Sequence, residues 1–377
     1  MTSPIAGHAT ADGTRRFADR QVADAGRSEA SFRSLDGLTV STIGVGTYLG
    51  DPDDVTDVLY TEAIVEAIGL GINHIDSAIN YRFQRSERAI GESLRRVFAA
   101  GVVDRSEIVI ATKGGYVPYD GEAPSGPGAA REYVSREFLS PGVCKAADFA
   151  NQYRHCMAPG YLSHQIDRSR ENLGVETLDV YYLHNVEGQI AEVGRETFEH
   201  RLHDAFALLE SKVDEGKIGR YGLATWNGFR SEPGSKDFLP LERILRIARD
   251  AGGDGHHFKV IQLPYNLAMT EAFGFFNQPV GEKVSTALEA AARLGISVVA
   301  SASLLQSRLA QDLPPEVTAA FAVGTDAQRA LQFVRSTPGV ATALVGMSHT
   351  RHVRENAALL AEPLAPESAV FSLFDEE

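Results

Sequence analysis

Four polar side chains in this chain, Asp76, Tyr81, Lys113 and His184, have the types needed to move a proton onto an oxygen atom. A phenol of ordinary pKa near 10 donates poorly at neutral pH, and a neighbouring ammonium favours the phenolate and lowers that value. Each unit of lowering is worth about 1.4 kcal/mol between the two forms. Lys113 is the candidate ammonium and Asp76 its counter-charge. His184 is the candidate for hydrogen-bonding a carbonyl oxygen and turning it towards Tyr81. Such a set suits protonating a carbonyl oxygen while hydride arrives at carbon. Taken singly, each has a plainer reading: Asp76 as a helix cap, Lys113 as a rim charge, His184 as a satisfied core histidine.

These groups act together only if the chain delivers them to one place. Apolar, strand-like segments cover 38–47 and then end near Ala78, Lys113, His184, Thr225, Pro264, Ser301 and Gly346. Between them lie stretches with apolar residues at helical spacing, such as VTDVLYTEAIVEAIGLG, which stops at glycine. Eight such repeats predict parallel strands with right-handed crossovers, an α/β chain closed as a (β/α)8 TIM barrel. An open doubly wound sheet is the alternative, and it requires a GxGxxG turn after the first strand; GVGTYLG is a poor imitation. Reactive groups of a barrel project from the C-terminal ends of its strands, and there Asp76, Lys113 and His184 fall, with Tyr81 just beyond.

The remaining segments frame that barrel. Residues 1–31, polar and alanine-rich, read as an N-terminal tail or loosely packed arm, and 32–377 as a single barrel domain. Asp36-Gly37 predicts the tight turn of an N-terminal β-hairpin. A long insertion after the third strand, 114–160, is expected to be a substrate lid, with an oligomer contact or a passive excursion as the plainer alternative. Its aromatic residues, Tyr116, Tyr119, Tyr133, Phe138, Phe149 and Tyr153, suit a pocket lining or a small core of their own.

Composition narrows the partners. A net charge of -14 disfavours nucleic acid and anionic membrane, both of which call for a basic surface. No apolar run is long enough to span a bilayer, and the first residues lack the apolar core of a secretory signal, so a cytoplasmic location is expected. Cys144 and Cys156 have no metal-ligand spacing and are expected to be reduced thiols, with no metal site; a disulfide or metal role is the alternative.

Over nearly all of 32–361 the chain resembles the aldo-keto reductase family. HIDSAINY is similar to the family's aspartate-containing signature, with SERAIGESL as the helix after it; IVIATK supplies the lysine, LDVYYLH the histidine and GKIGRYGLAT the fifth strand. The resemblance implies a catalytic tetrad of Asp76, Tyr81, Lys113 and His184 with Tyr81 as general acid. It also implies hydride transfer between NADPH, with NADH as the other possibility, and a small-molecule aldehyde or ketone, or the corresponding alcohol. For the cofactor it implies Gly46 and Thr47 at the first strand end, Thr225, Gln262 in VIQLPYNL, Ser301, and Gly346, Ser348, His352 and Asn356 in LVGMSHTRHVRENAA. Arg351 and Arg354 are further candidates for a phosphate there. The chain departs from the family pattern at Ala224-Thr225, where Ser-Asn is usual, at Ser301, where a stacking aromatic is common, and at His352, which replaces an arginine. Met347 stands where a polar residue is common, and Trp226 or Tyr265 is the candidate to substitute for the missing aromatic by another route. A redox-neutral acid/base enzyme, lyase or isomerase, and a nucleotide-sensing regulatory subunit are the alternative functions.

Overall fold

Side chains of a strand point alternately to its two faces, and that alternation divides the apolar residues of the computed structural model, which describes residues 3–374. Eight parallel strands close a barrel: β3 (Ile43–Gly46), β4 (His74–Asp76), β5 (Val109–Gly114), β6 (Leu178–His184), β7 (Ile218–Ala224), β8 (Phe258–Pro264), β9 (Ser297–Ser301) and β10 (Val340–Gly346), with β10 pairing back onto β3. Val109, Ala111, Val180, Tyr182, Val260 and Val299 face the axis and pack together. Ile108, Ile110, Tyr181, Leu183 and Ile261 face outwards into the larger core beneath the helices. Two residues beyond an inward position is again inward, so Lys113, His184, Gln262 and Ser301 are carried to the mouth.

Glycine caps several of the helices that precede the strands, as at Gly174, Gly253 and Gly295. α2 (Asp54–Gly69) is capped by the Asp53 carboxylate on the Thr56 amide, and α3 (Arg85–Ala99) follows the loop carrying Tyr81. The expected first strand, 38–47, divides at Thr42. Its first half, β2 (Leu38–Ser41), pairs antiparallel with β1 (Phe32–Leu35) around Asp36 and Gly37, both at positive φ. Leu35, Leu38 and Val40 join the inward-facing cluster, so this hairpin plugs the end opposite the reactive groups.

Within the segment read as a loose arm, Ala11–Ala25 form a packed helix, α1. Thr10 caps it, Phe17 is completely buried, and Arg20 makes a two-pronged contact with Glu107 at 2.8 and 3.0 Å. Gly13 lies so close to the Ser106 carbonyl that a Cβ would come within 2.2 Å. Ahead of it, the Ala9 amide donates to the buried Asp179 carboxylate at 2.6 Å. The sequence hides this because the buried face, Thr14, Phe17, Ala18 and Gln21, carries only one large apolar side chain.

The insertion builds a small core from Val117, Val134, Phe138, Cys144, Phe149, Cys156 and Tyr161, with Tyr119 and Tyr133 packed against it. Both cysteines are buried and unbridged. Only Tyr116, of its aromatics, lines the main cleft. No helix among the described residues is long and apolar enough to cross a membrane.

Candidate active site

Register between neighbouring strands gathers the polar groups. Gly46 lies beside Asp76 on one side and Gly346 on the other, while Ala224 pairs with both His184 and Gln262. Above them opens a cleft of about 560 Å³ whose walls include Thr47, Tyr48, Asp76, Tyr81, Tyr116, His184, Thr225, Trp226, Gln262 and the 301–308 loop. A second cavity, about 90 Å³, lies by the insertion and holds none of the four groups.

Lys113 stands behind the cleft wall, outside its lining. Its ammonium is buried and donates to Asp76 Oδ1 and, at 2.7 Å, to the Ser77 carbonyl. The other Asp76 oxygen accepts from Gln262 Nε2 at 2.9 Å. Lys113 Nζ stands 5.1 Å from the Tyr81 ring centroid and 6.0 Å from that of Tyr182. Tyr81 is half-buried, edge-on to Tyr48 at 5.0 Å and to His184 at 5.8 Å. Asp76, Tyr81, Lys113 and His184 are thus brought to one place.

The charge balance differs from the sequence expectation. Loss of solvent pushes the Tyr81 phenol well above its usual range, and Asp76, Tyr48 and Tyr116 push it the same way. Lys113 is not among the groups that shift the phenol. Burial lowers the Lys113 pKa against the pull of Asp76, and raises that of Asp76 against the pull of Lys113. His184 is driven well below the ordinary imidazole value by burial, then by Lys113 and His155. At neutral pH the cleft therefore presents a protonated phenol and an uncharged imidazole.

The residues expected to hold a cofactor divide into two groups. Gly46, Thr47, Thr225, Gln262, Ser301 and Gly346 line the cleft. Ser348, His352 and Asn356 lie outside that lining, in the turn after β10 and on the helix Thr350–Ala357. Arg354 is engaged by Glu66 at 2.6 Å, and Arg351 Nε lies 3.2 Å from His352 Nε2. Tyr265 is buried, stacked on Phe333 at 5.3 Å with its hydroxyl against Thr337, and does not line the cleft. Trp226 does, and it is 45% exposed. Its backbone N–H donates to Glu187 Oε1 at 2.7 Å.

Several cleft residues carry no warning in the sequence. The 302–308 loop has Ala302, Leu305, Gln306 and Ser307 at φ 54, 45, 54 and 70 without a single glycine. Such strain in non-glycine residues gathers at functional sites. Tyr48, Asn80 and Asn185 were equally silent, each an ordinary loop residue until the strands placed it on the wall. The cleft also has unmet polar capacity: buried Thr225 Oγ1, Asn80 Oδ1, Ser303 Oγ and His184 Nδ1 have no partner. Buried polar atoms are normally paired, and these orphans, beside two glycines that leave backbone bare, fit an amide-bearing ring and a phosphate-linked tail.

The description "Aldo/keto reductase family" belongs to the sequence profile that matches residues 42–232, half of the chain. A NADH-specific methylglyoxal reductase of Escherichia coli is 25% identical over 192 residues, covering 50% of this chain and 49% of the relative. The chain thus spans about half the length of that curated relative. Among solved structures, an aldo-keto reductase from Bacillus halodurans in its holo form aligns at TM-score 0.61 and 17% identity, over 91% of this chain and 95% of the other. An aldo/keto reductase from Klebsiella pneumoniae, in complex with NADP and acetate, aligns at TM-score 0.60 and 20% identity, over 91% and 94%. At these identities the structural likeness establishes the barrel alone.

Proposed function

The chain belongs to the aldo/keto reductase family, and from that premise we propose that it transfers hydride between NADPH and a small aldehyde or ketone, with Tyr81 as the proton donor. NADH is the other donor to test, since one relative is NADH-specific. The observation that carries the reading is the joining of Tyr81, His184 and the buried Lys113–Asp76 pair at one cleft.

When bound, the nicotinamide supplies the hydride. Gln262 and Thr225 would hold its carboxamide, and Gly46 and Gly346 would leave room for the linking phosphates. Trp226 offers the aromatic face that Ser301 lacks, a contact worth about 1 kcal/mol. Ser348, His352 and Asn356 would meet the far phosphate. His184, uncharged, would donate to the substrate oxygen and orient it towards Tyr81. Tyr81 gives its proton to that oxygen as negative charge develops. Lys113 then stabilises the phenolate left behind, and Asp76 keeps the lysine charged and in place.

Tyr81→Phe removes the proton and leaves the ring. Turnover should fall by at least about a hundredfold, the lower range for a positioned acid, while NADPH fluorescence titration shows near-normal binding. Normal turnover in that variant would rule out Tyr81 as the acid. Failure of the wild-type protein to bind NADPH at high micromolar concentration would favour redox-neutral chemistry instead.

A further inference from the structure

His155, in the insertion, takes no part in the chemistry above, yet it touches the frame of the site. It is completely buried, and Gly115 lies so close that a Cβ would come within 2.6 Å of its Nε2. Nε2 is 2.6 Å from the main-chain carbonyl oxygen of His184. A carbonyl only accepts, so Nε2 bears the proton and Nδ1 accepts from Gln189 Nε2 at 2.8 Å. The buried Gln189 in turn accepts from Arg201 Nη1 at 3.0 Å through its own carbonyl. Arg201 also binds the Ala147 and Asp148 carbonyls of the insertion, at 2.8 and 3.1 Å. A continuous strut thus runs from Arg201 through Gln189 and His155 to the backbone of His184. Burial pushes the His155 imidazole down to about 4, so the strut keeps one protonation state at neutral pH.

The His184 ring has little else to hold it. Its Nδ1 is buried without a partner. It sits edge-on between Tyr81 at 5.8 Å and Tyr116 at 5.1 Å, and Tyr116 is itself edge-on to His155 at 5.0 Å. The next residue, Asn185, has φ 47, so the backbone turns off directly after His184. We infer that His155 is a positioning residue for His184, acting through the carbonyl of that residue and through Tyr116. The insertion then sets the geometry of the reacting pair as well as walling the cleft. The inference rests on the carbonyl-reduction reading, and its test separates the two.

The test compares wild type with His155→Phe, His155→Gln and Gln189→Leu in NADPH-dependent reduction of small aldehydes, with thermal unfolding and NADPH titration as controls. Phenylalanine keeps the ring against Tyr116 but removes both hydrogen bonds, so kcat should fall about ten- to a hundredfold, with KM and NADPH affinity within about twofold. Glutamine keeps an N–H able to reach the carbonyl, and should recover most of kcat. Gln189→Leu should lose kcat in the same direction. In histidine-labelled protein, the His184 imidazole signals should shift or broaden in His155→Phe and stay near wild type in His155→Gln. Unchanged His184 signals in the phenylalanine variant overturn the inference whether or not the wild type turns over. So does an unchanged kcat in folded His155→Phe, or in Gln189→Leu should the phenylalanine variant not fold. A wild type that binds NADPH yet reduces no carbonyl overturns the functional reading instead.

Discussion

Replacing Asp76 by asparagine would leave the Lys113 ammonium buried without its counter-charge, and the structure bounds what that costs. Lys113 is 1% exposed and keeps only the Ser77 carbonyl, at 2.7 Å, as a remaining full acceptor of known geometry. Removing one member of a buried pair typically costs about 3–5 kcal/mol. The lysine has an escape, since it can fold as the neutral amine. From an ordinary value of about 10.4, giving up the proton at pH 7 costs about 1.4 kcal/mol for each of some three units, so the loss cannot exceed about 5 kcal/mol. The expected destabilisation is therefore about 3–5 kcal/mol at pH 7. A lysine whose folded pKa is depressed binds fewer protons folded than unfolded between the two values, so stability rises with pH through that window. The defect should shrink steadily between about pH 7 and pH 10. Urea titrations of wild type, Asp76→Asn and the double variant Asp76→Asn/Lys113→Met measure it, and the double variant should recover most of the stability because the orphaned charge is gone. A single-variant loss under about 1 kcal/mol, equal losses at both ends of the pH range, or a double variant no better than the single would mean that no charge is orphaned by the substitution.

Because burial holds the Tyr81 proton well above the usual phenol range, kcat/KM for reduction should stay flat from about pH 6 to 9, whereas alcohol oxidation, which needs the phenolate, should rise with pH. A reduction rate falling near pH 7 would show that the phenol titrates there and that the ammonium prevails. Thr225→Val removes a buried hydroxyl that has no partner, so the free protein should gain up to about 1 kcal/mol in denaturant titration while NADPH binds about fivefold more weakly. Equal NADPH affinity would exclude Thr225 from the cofactor. Phe17→Ala should cost about 3–5 kcal/mol, as for a completely buried ring, and a loss below about 1 kcal/mol would restore the view of the first residues as a loose arm.

Much of the barrel was legible because its signals are local. Glycine stops, helical spacing and short apolar runs recur along the chain, and each strand end expected from them lies within two residues of the observed one from β4 onward. Asp76, Lys113 and His184 could be found at those ends, with Tyr81 in the loop just beyond, because a barrel presents its strand ends on one face. α1 was hidden for the opposite reason: of the buried face Thr14, Phe17, Ala18 and Gln21 only Phe17 is large and apolar, and the ion pair and the glycine contact are made with distant residues.

The order of elements, the turn at Asp36-Gly37 and the residue types gathered near the strand ends are written along the chain, since they follow from propensity and period over a few neighbours. Tertiary structure alone decided how those residues behave. It paired Lys113 with Asp76, so that desolvation rather than the ammonium governs Tyr81. It turned Tyr265 into the core and left Trp226 at the cleft, and it laid His155 against the carbonyl of His184. Burial, charge balance and contact each depend on groups far apart along the chain, and only the closed barrel brings those groups within reach of one another.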